Sequence, residues 1–296
     1  MYFCKATYIY KTMIKTGLKI IICILVLGAL WFAISSNHAR ATVGTDRMKE
    51  DIVITAHRGG AGYGAENSLS CIHRSLEAGV KSIEIDVQLS KDGHIIVCHD
   101  NKVDRTTNGK GKVSDMTLAE LRALRIVTES GETLNESLPL LSEVLEAIDG
   151  KAHLLLEIKR YKDTASELQK AVVAELERYN AAAWTTVQSF SDVTLSEIHA
   201  LDPALHLEKL AFCKVLGLPL LFDGGFRIYS PERYAHIESI NFFYGGISQR
   251  FVEKLHSQGK RVRVWTLNSP DKRPNLSVDG IITDYPDLMM EFYGIK

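Results

Sequence analysis

The sequence predicts a parallel α/β barrel that forms one large domain. Short apolar runs alternate with amphipathic, helix-like segments beyond about residue 50, which is the pattern of parallel α/β sheets. The chain has 296 residues, and α/β barrels commonly use about 250 residues as a single domain. No internal repeat or low-complexity linker marks a second full domain. The balance of 46% hydrophobic to 24% charged residues excludes a disordered chain.

The sequence contains nine strand-like runs, although an eight-stranded barrel needs one fewer. In chain order they are DIVITAHRGG, KSIEIDVQL, HIIVCHD, AHLLLEIK, WTTVQSF, LHLEKLAF, ESINFFYG, RVRVWTLN and DGIITDYP. The connection SKDG between the second and third runs is too short for a crossover helix. We therefore expect one run to be a hairpin arm or to lack its helix.

Capping residues mark the predicted helix starts. Ser68 and Ser248 are placed as N-caps, Thr117 and Thr164 open T-x-x-E capping boxes, and Pro231 after Ser230 predicts one more start. The polar, glycine-bearing stretch 101–138 follows the third run and predicts a short insertion at the barrel mouth. We assign residues 42–296 to the barrel domain.

Residues 1–41 are expected to direct export or to anchor the chain. The apolar run 20–34 is short for a membrane span of about 20 residues, but it fits the apolar part of a signal peptide. Ala39 and Ala41 give a cleavage pattern, and Met13 is an alternative start. We expect a protein secreted after cleavage near Ala41, or one anchored by residues 20–34 with its body on the outer face.

Charge and cysteine content narrow the function classes. Residues 1–41 carry five basic residues and no acidic one, so without them the formal net charge would change from −1 to −6. Such a body gives no support to nucleic-acid binding, which needs a basic surface. Because this body is mildly acidic, an anionic substrate would need a group within the binding site that attracts it. The cysteines show no metal-ligand or disulfide spacing, and we expect them to be small buried residues: Cys4, Cys23, Cys71, Cys98 and Cys213.

Charged residues stand in or at the ends of several predicted strands, where a parallel barrel has its active site. Glu84 and Asp86 are two residues apart and share a strand face, whereas their apolar neighbours occupy the other. We therefore expect both carboxylates to point into the barrel. Glu157 would complete an all-oxygen site suited to Mg²⁺ or Ca²⁺.

Two histidines and two cations complete the candidate chemistry. His57 and His99 lie at separate strand ends and suit an acid and a base acting from opposite sides of a scissile bond. Arg58, with its planar fork, and Lys159, a point charge, suit a phosphate group. Six other histidines lack a partner motif and are interpreted as structural: His73, His153, His199, His206, His236 and His256.

The candidate residues lie in a set of segments that runs through the body: AHRGG and AENS within 56–68, EIDVQLSKDGHIIVCHDNKVDRTTNG at 84–109, LEIK at 156–159, QSF at 188–190, VWTLN at 264–268 and DGIITDYPD at 279–287. Taken together and in this order, these segments resemble the glycerophosphodiester phosphodiesterase family. The resemblance covers essentially the whole body. It implies a TIM (β/α)8 barrel that uses a divalent cation to hydrolyse glycerophosphodiesters, a small-molecule substrate class, to an alcohol and glycerol 3-phosphate.

The resemblance also implies roles for individual residues. His57 and His99 would be the general acid/base pair, and the metal ligands would be Glu84, Asp86 and Glu157. Phosphate oxygens would be held by Arg58 and Lys159. Glu66 would support the loop after the first strand or contact the glycerol, and Trp265 would wall the pocket.

Three departures from the family pattern stand out. Ala65 and Ser68 occupy positions where the family commonly has Pro and Thr. The segment 269–278 is short and Pro274 would break a helix in it, so we expect the last crossover to be a turn. The insertion at 101–138 is short, which predicts an open pocket.

Two other functions remain as alternatives. One is a lysophospholipase D or sphingomyelinase-D-like activity on the same barrel, which an apolar groove beside the metal would favour. The other is a membrane-tethered binding module without catalysis.

Overall fold

Eight parallel strands close into a barrel, as the sequence predicts. The computed structural model describes residues 52–159, 166–215, 217–272 and 276–295. Its strands are β1 (Val53–Ala56), β2 (Ser82–Leu89), β3 (Ile95–Val97), β4 (His153–Ile158), β5 (Thr185–Ser189), β6 (His206–Ala211), β7 (Cys213–Lys214), β8 (Leu220–Phe222), β9 (Phe226–Ile228), β10 (Ser239–Phe243), β11 (Arg263–Trp265) and β12 (Gly280–Thr283). The order around the barrel is β1, β2, β4, β5, β6, β10, β11, β12, and β1 pairs in parallel with both β2 and β12.

Helices pack on the outside of the barrel, and most of them join successive barrel strands. They are α1 (Leu69–Glu77), α2 (Leu118–Ala123), α3 (Leu141–Ile148), α4 (Glu167–Arg178), α5 (Asp192–Leu201), α6 (Gln249–Ser257) and α7 (Pro286–Tyr293). Ser68 caps α1 by accepting a hydrogen bond from the backbone N–H of Cys71, and Thr117 opens a complete capping box at α2. Ser248 precedes α6, but its side chain makes no capping bond. Thr164 lies outside the described residues.

The prediction of a helix that starts at Ser230 and Pro231 is wrong. Turns occupy this segment between β9 and β10. The Lys260 ammonium donates hydrogen bonds to the backbone carbonyls of Tyr234, Ala235 and Ile237. Carbonyls that would accept hydrogen bonds along a helix thus accept them from a side chain of the connection that follows α6.

The prediction of a hairpin arm is confirmed. β3 pairs antiparallel with β2, with Val87 opposite Val97, so the third strand-like run lies beside the barrel rather than in it. The tight connection uses Gly93 at φ 86°, a left-handed conformation that glycine adopts without strain. The last crossover is reduced in its described part to a single 3₁₀ turn, Pro270–Lys272, as expected.

Two excursions rise from the barrel. Residues 101–138 contain α2 and pack around a small core of their own, which includes Val103, Leu121 and Ile126. The second excursion, which the sequence did not predict, follows β6 and forms the separate three-stranded antiparallel sheet β7–β8–β9. Cys71, Cys98 and Cys213 are free and buried, as expected.

The predicted export segment, residues 1–41, lies outside the described residues. Within the described part of the chain, no helix is both long enough and apolar enough to cross a membrane.

Candidate active site

Three buried carboxylates lie together inside the carboxyl end of the barrel. Asp86 on β2 is in register with Glu157 on β4, and Glu84 lies two residues before Asp86 on the same face. Glu84 and Asp86 are 1% exposed and Glu157 is 7% exposed. One oxygen from each carboxylate lies within 4.8 Å of the others. The inward direction and the grouping both agree with the sequence prediction, and we call these three residues the acidic cluster.

The three carboxyl groups of the acidic cluster differ in the direction in which their pKa is shifted. Burial, reinforced by the charge of Asp86, raises the pKa of Glu84 to about 8. Burial likewise raises the pKa of Glu157. Burial alone would raise the pKa of Asp86 too, but the charge of Lys159 and other cations nearby holds that pKa well below its usual range.

Lys159 supplies the closest positive charge to the acidic cluster. Its Nζ lies 2.9 Å from Asp86 Oδ1 and 2.6 Å from Glu157 Oε1. Burial by itself would lower the pKa of Lys159, but the charges of Asp86 and Glu157 outweigh it and raise that pKa. The lysine is therefore a fixed cation at the site.

Arg58 connects the turn after β1 to the acidic cluster. The residue has φ 51°, and its backbone N–H donates to Glu84 Oε2 at 2.8 Å. Its Nη1 donates to both oxygens of Glu66, at 2.9 and 3.0 Å. Glu66 thus holds the guanidinium of Arg58, a residue of the turn after β1.

His57 is held by a carboxylate from the far end of the sequence. Its Nδ1 lies 2.6 Å from Asp284 Oδ1, and its Nε2 lies 4.0 Å from Glu84 Oε2. Asn268 in turn donates to Asp284 through its side-chain amide. Burial by itself would lower the pKa of His57, but the hydrogen bond with Asp284 and the charge of Glu84 raise it above its ordinary value.

His99 has a carboxylate partner of its own. Its Nδ1 lies 2.7 Å from Asp100 Oδ1, and Arg105 Nε donates to the other oxygen of Asp100 at 2.7 Å. Arg105, from the 101–138 excursion, also donates to both oxygens of Glu66. Burial lowers the pKa of His99. The excursion thus braces His99 and, through Glu66, Arg58.

Trp265 lies among aromatic side chains. Its ring packs edge-on near Phe190, Phe212 and Phe243, with centroid distances of 5.6, 5.5 and 6.1 Å. The structure therefore brings eight predicted site residues into one charged network and places Trp265, at the end of β11, in a group of aromatic rings.

Sequence reasoning assigned no role to four residues that orient this network, although it placed one of them, Asp100, at a strand end. They are Asn67, whose amide donates to Asp86 at 2.9 Å, and Asp100, Arg105 and Asp284, described above. Asp284 directly follows β12, so the strand-end argument that identified the other residues would also have identified it.

These features define the chain as a parallel barrel with the buried, charged cluster of an enzyme active site at its mouth. The family follows from comparison with known proteins: the sequence model of the glycerophosphoryl diester phosphodiesterase family matches residues 57–288, and the chain belongs to this family. It is a phosphodiesterase that hydrolyses glycerophosphodiesters, not a binding module.

Relatives and solved structures agree with this assignment. A glycerophosphodiester phosphodiesterase of Caldanaerobacter subterraneus is 33% identical over 243 residues, which covers 80% of this chain and 96% of that protein. One from Bacillus subtilis is 29% identical and covers 92% of this chain and 96% of its own. A phosphodiesterase structure from Oleispira antarctica, in complex with the product sn-glycerol-3-phosphate, matches with TM-score 0.70 at 25% identity, covering 83% of this chain and 98% of that one. The Caldanaerobacter protein consists almost entirely of the matching region.

Proposed function

We propose that the chain hydrolyses glycerophosphodiesters to an alcohol and glycerol 3-phosphate with a divalent cation, Mg²⁺ or Ca²⁺, held by Glu84, Asp86 and Glu157. The main observation that supports this proposal is the acidic cluster, three buried carboxylates with oxygens within 4.8 Å of one another. Hard cations prefer such all-oxygen ligand sets. Burial, reinforced by the charge of Asp86, raises the pKa of Glu84, and the positive charge of a bound cation would oppose both effects. The donors present therefore fit this cofactor.

The cations of the site would hold the phosphate group. When bound, the divalent cation would withdraw charge from the phosphate oxygens and so ease attack on phosphorus. Arg58 Nε is buried without a hydrogen-bond acceptor among the described residues, and a phosphate oxygen would provide one. Lys159 adds a second positive charge at the acidic cluster. The product bound to the Oleispira relative supports glycerol 3-phosphate as the product here.

The two histidines are placed to move protons. In each ring a carboxylate holds Nδ1, which orients the ring and leaves Nε2 as the atom for chemistry. One histidine would take the proton from the nucleophile, which is either water or the neighbouring glycerol hydroxyl acting through a cyclic phosphate. The other would give a proton to the leaving alcohol oxygen.

Product analysis tests the proposed reaction. The barrel domain, residues 42–296, is incubated with glycerophosphocholine, and its products are identified and quantified by phosphorus and proton NMR. We expect glycerol 3-phosphate and choline in equal amounts. Phosphocholine and glycerol as the products would show that the other phosphorus–oxygen bond is cleaved and would contradict the proposal.

Asp284→Asn is expected to lower kcat at least tenfold and to leave KM little changed. Asparagine keeps the size of the side chain but removes the negative charge that orients the His57 ring and stabilises its protonated form. The hydrogen bond and charge of Asp284 raise the pKa of His57, so their loss should lower that pKa. The limb of the kcat–pH profile that reflects His57 should therefore move to lower pH.

Asp279→Asn is the matched control. Asp279 lies at the opposite end of β12 and pairs with a different histidine, His256, at 2.9 Å. We expect this variant to keep the kcat and pH profile of the parent. Equal effects of the two substitutions would mean that Asp284 acts only on stability.

A further inference from the structure

Gln88 is a buried glutamine on β2, two residues beyond Asp86, and it is 3% exposed. Residues two apart on a strand share a face, so Gln88 continues the inward row of Glu84 and Asp86. A buried amide needs hydrogen-bond partners, because an unpaired polar group inside a protein is costly. The side chain of Gln88 finds its partners in the backbone around His99.

The Gln88 amide nitrogen donates to the two backbone carbonyls on either side of His99. Nε2 lies 2.8 Å from the carbonyl oxygen of Cys98 and 2.5 Å from that of Asp100. A side-chain amide nitrogen carries two hydrogens, so there is one hydrogen for each carbonyl. Carbonyls only accept hydrogen bonds, which fixes the orientation of the amide: turned over, it would direct its own oxygen at two other oxygens.

The position of His99 in the hairpin makes this contact important. β3 ends immediately before Cys98, whose N–H donates to the backbone carbonyl of Asp86 at 2.9 Å. From His99 onward the chain bends and leaves the ladder that joins β2 and β3. The ladder therefore ends just before His99, and the Gln88 amide holds the backbone on both sides of it.

The alignment of the His99 ring depends on this stretch of backbone. The Nδ1 of His99 lies 2.7 Å from Asp100 Oδ1, so the ring and the carboxylate that orients it belong to consecutive residues. Their relative position therefore depends on the backbone dihedrals between them. Gln88 binds the carbonyl that precedes this pair and the carbonyl that ends it, and so restricts those dihedrals.

We propose that Gln88 is a positioning residue for His99: its amide fixes the backbone of the His99–Asp100 pair and thereby holds the ring for proton transfer. The proposal rests on the proposed function, because it requires that His99 moves a proton in that reaction. Asp100 orients the ring through its side chain, whereas Gln88 acts through the backbone. Among uncharged side chains, only those of glutamine and asparagine carry two hydrogens on one atom, and asparagine is shorter by one methylene.

Gln88→Met in the full-length chain is the first test. Methionine has a similar length and adapts to its surroundings, but it carries no hydrogen-bond donor. A misplacement of about 1 Å can cost about 10²-fold in rate, so for a residue that acts indirectly we expect kcat for glycerophosphocholine to fall about tenfold, with little change in KM. Calorimetric titration should give the parental affinity for the divalent cation, because the acidic cluster is intact.

The same substitution in the His99→Ala background separates positioning from a structural role. Without the ring there is nothing to position, so the double variant should keep the kcat of His99→Ala to within about twofold. The loss of thermal stability caused by Gln88→Met should instead be equal in both backgrounds. The reason is that Gln88 bonds to backbone carbonyls, which the His99→Ala variant retains.

Two further variants complete the comparison. Gln88→Asn keeps an amide that is too short to reach both carbonyls, so it should lower kcat in the parent background and leave kcat of His99→Ala unchanged. Gln169→Met is the matched control for the loss of a buried glutamine. Gln169 is 2% exposed on α4, and its amide donates to Glu197 at 2.7 Å. This control should keep the parental kcat.

The outcomes separate the two proposals. A parent protein that releases no glycerol 3-phosphate would contradict the proposed function itself. If the parent is active, an unchanged kcat in Gln88→Met would overturn the positioning role alone. An equal factor of loss in the parent and His99→Ala backgrounds would also overturn it, because Gln88 would then act independently of His99. A loss of kcat confined to the parent background would support it.

Discussion

Glu157→Gln is expected to lower kcat for glycerophosphocholine about 10²-fold or more and to weaken activation by the divalent cation. The substitution preserves shape but removes one of three charges that would hold the cation, and metal activation of a phosphoryl group contributes several kcal/mol. The remaining activity should require a higher concentration of cation. Initial rates measured against Mg²⁺ and Ca²⁺ concentration, with calorimetric titration of each cation, check both effects.

Glu208→Gln provides a control for burial. Glu208 is also a buried glutamate inside the barrel, but it pairs with Arg263 at 3.2 Å and accepts a hydrogen bond from Asn241. Its loss should lower stability, because Arg263 would be left without its charge partner. Cation affinity should be retained. A Glu157→Gln variant with unchanged cation affinity would contradict the metal-ligand assignment.

His57→Ala and His99→Ala are each expected to lower kcat about 10²-fold or more, the usual contribution of a positioned acid or base. Both rings are held at Nδ1 by a carboxylate, His57 by Asp284 and His99 by Asp100. The double variant should lose less than the product of the two single effects, because acid and base act in one reaction. Steady-state rates of all three variants give the result.

His153→Ala is the matched control for the two histidines. His153 opens β4 at the opposite end of the barrel and pairs with Thr186 at 2.8 Å. Its removal should leave kcat close to that of the parent. Near-parental activity in either His57→Ala or His99→Ala would remove that residue from the mechanism.

Much of the fold could be predicted because its strands lie within apolar runs that helix-like segments or turns separate. The eight barrel strands and the hairpin arm β3 correspond to the nine strand-like runs of the sequence. Strands β7, β8 and β9 have only two or three residues each, and Gly217, Pro219, Gly224 and Gly225 interrupt the segment that contains them. The sequence therefore did not predict the sheet that these three strands form. The wrong prediction of a helix at Pro231 rested on a helix start signal that is local in the sequence. The hydrogen bonds that Lys260 donates to carbonyls of this segment come from a residue distant in the sequence, so the local pattern could not reveal them.

The candidate site likewise contains residues that the sequence could place and partners that it could not. Glu84 and Asp86 could be placed inside the barrel because their spacing and apolar neighbours are local. The pairing of His57 with Asp284 joins residues 227 positions apart and depends on the closure of the barrel between β1 and β12. The contact of Arg105 with Glu66 likewise depends on how the 101–138 excursion folds back. Such partners follow from tertiary structure rather than from a pattern.

The central claim is that the acidic cluster binds a divalent cation that the reaction needs. The most direct test is to remove divalent cations from the barrel domain with EDTA and then to measure glycerol 3-phosphate release from glycerophosphocholine as Mg²⁺ or Ca²⁺ is restored. We predict no release with EDTA and recovery with at least one of the two cations. Full activity in the presence of excess EDTA would contradict the account.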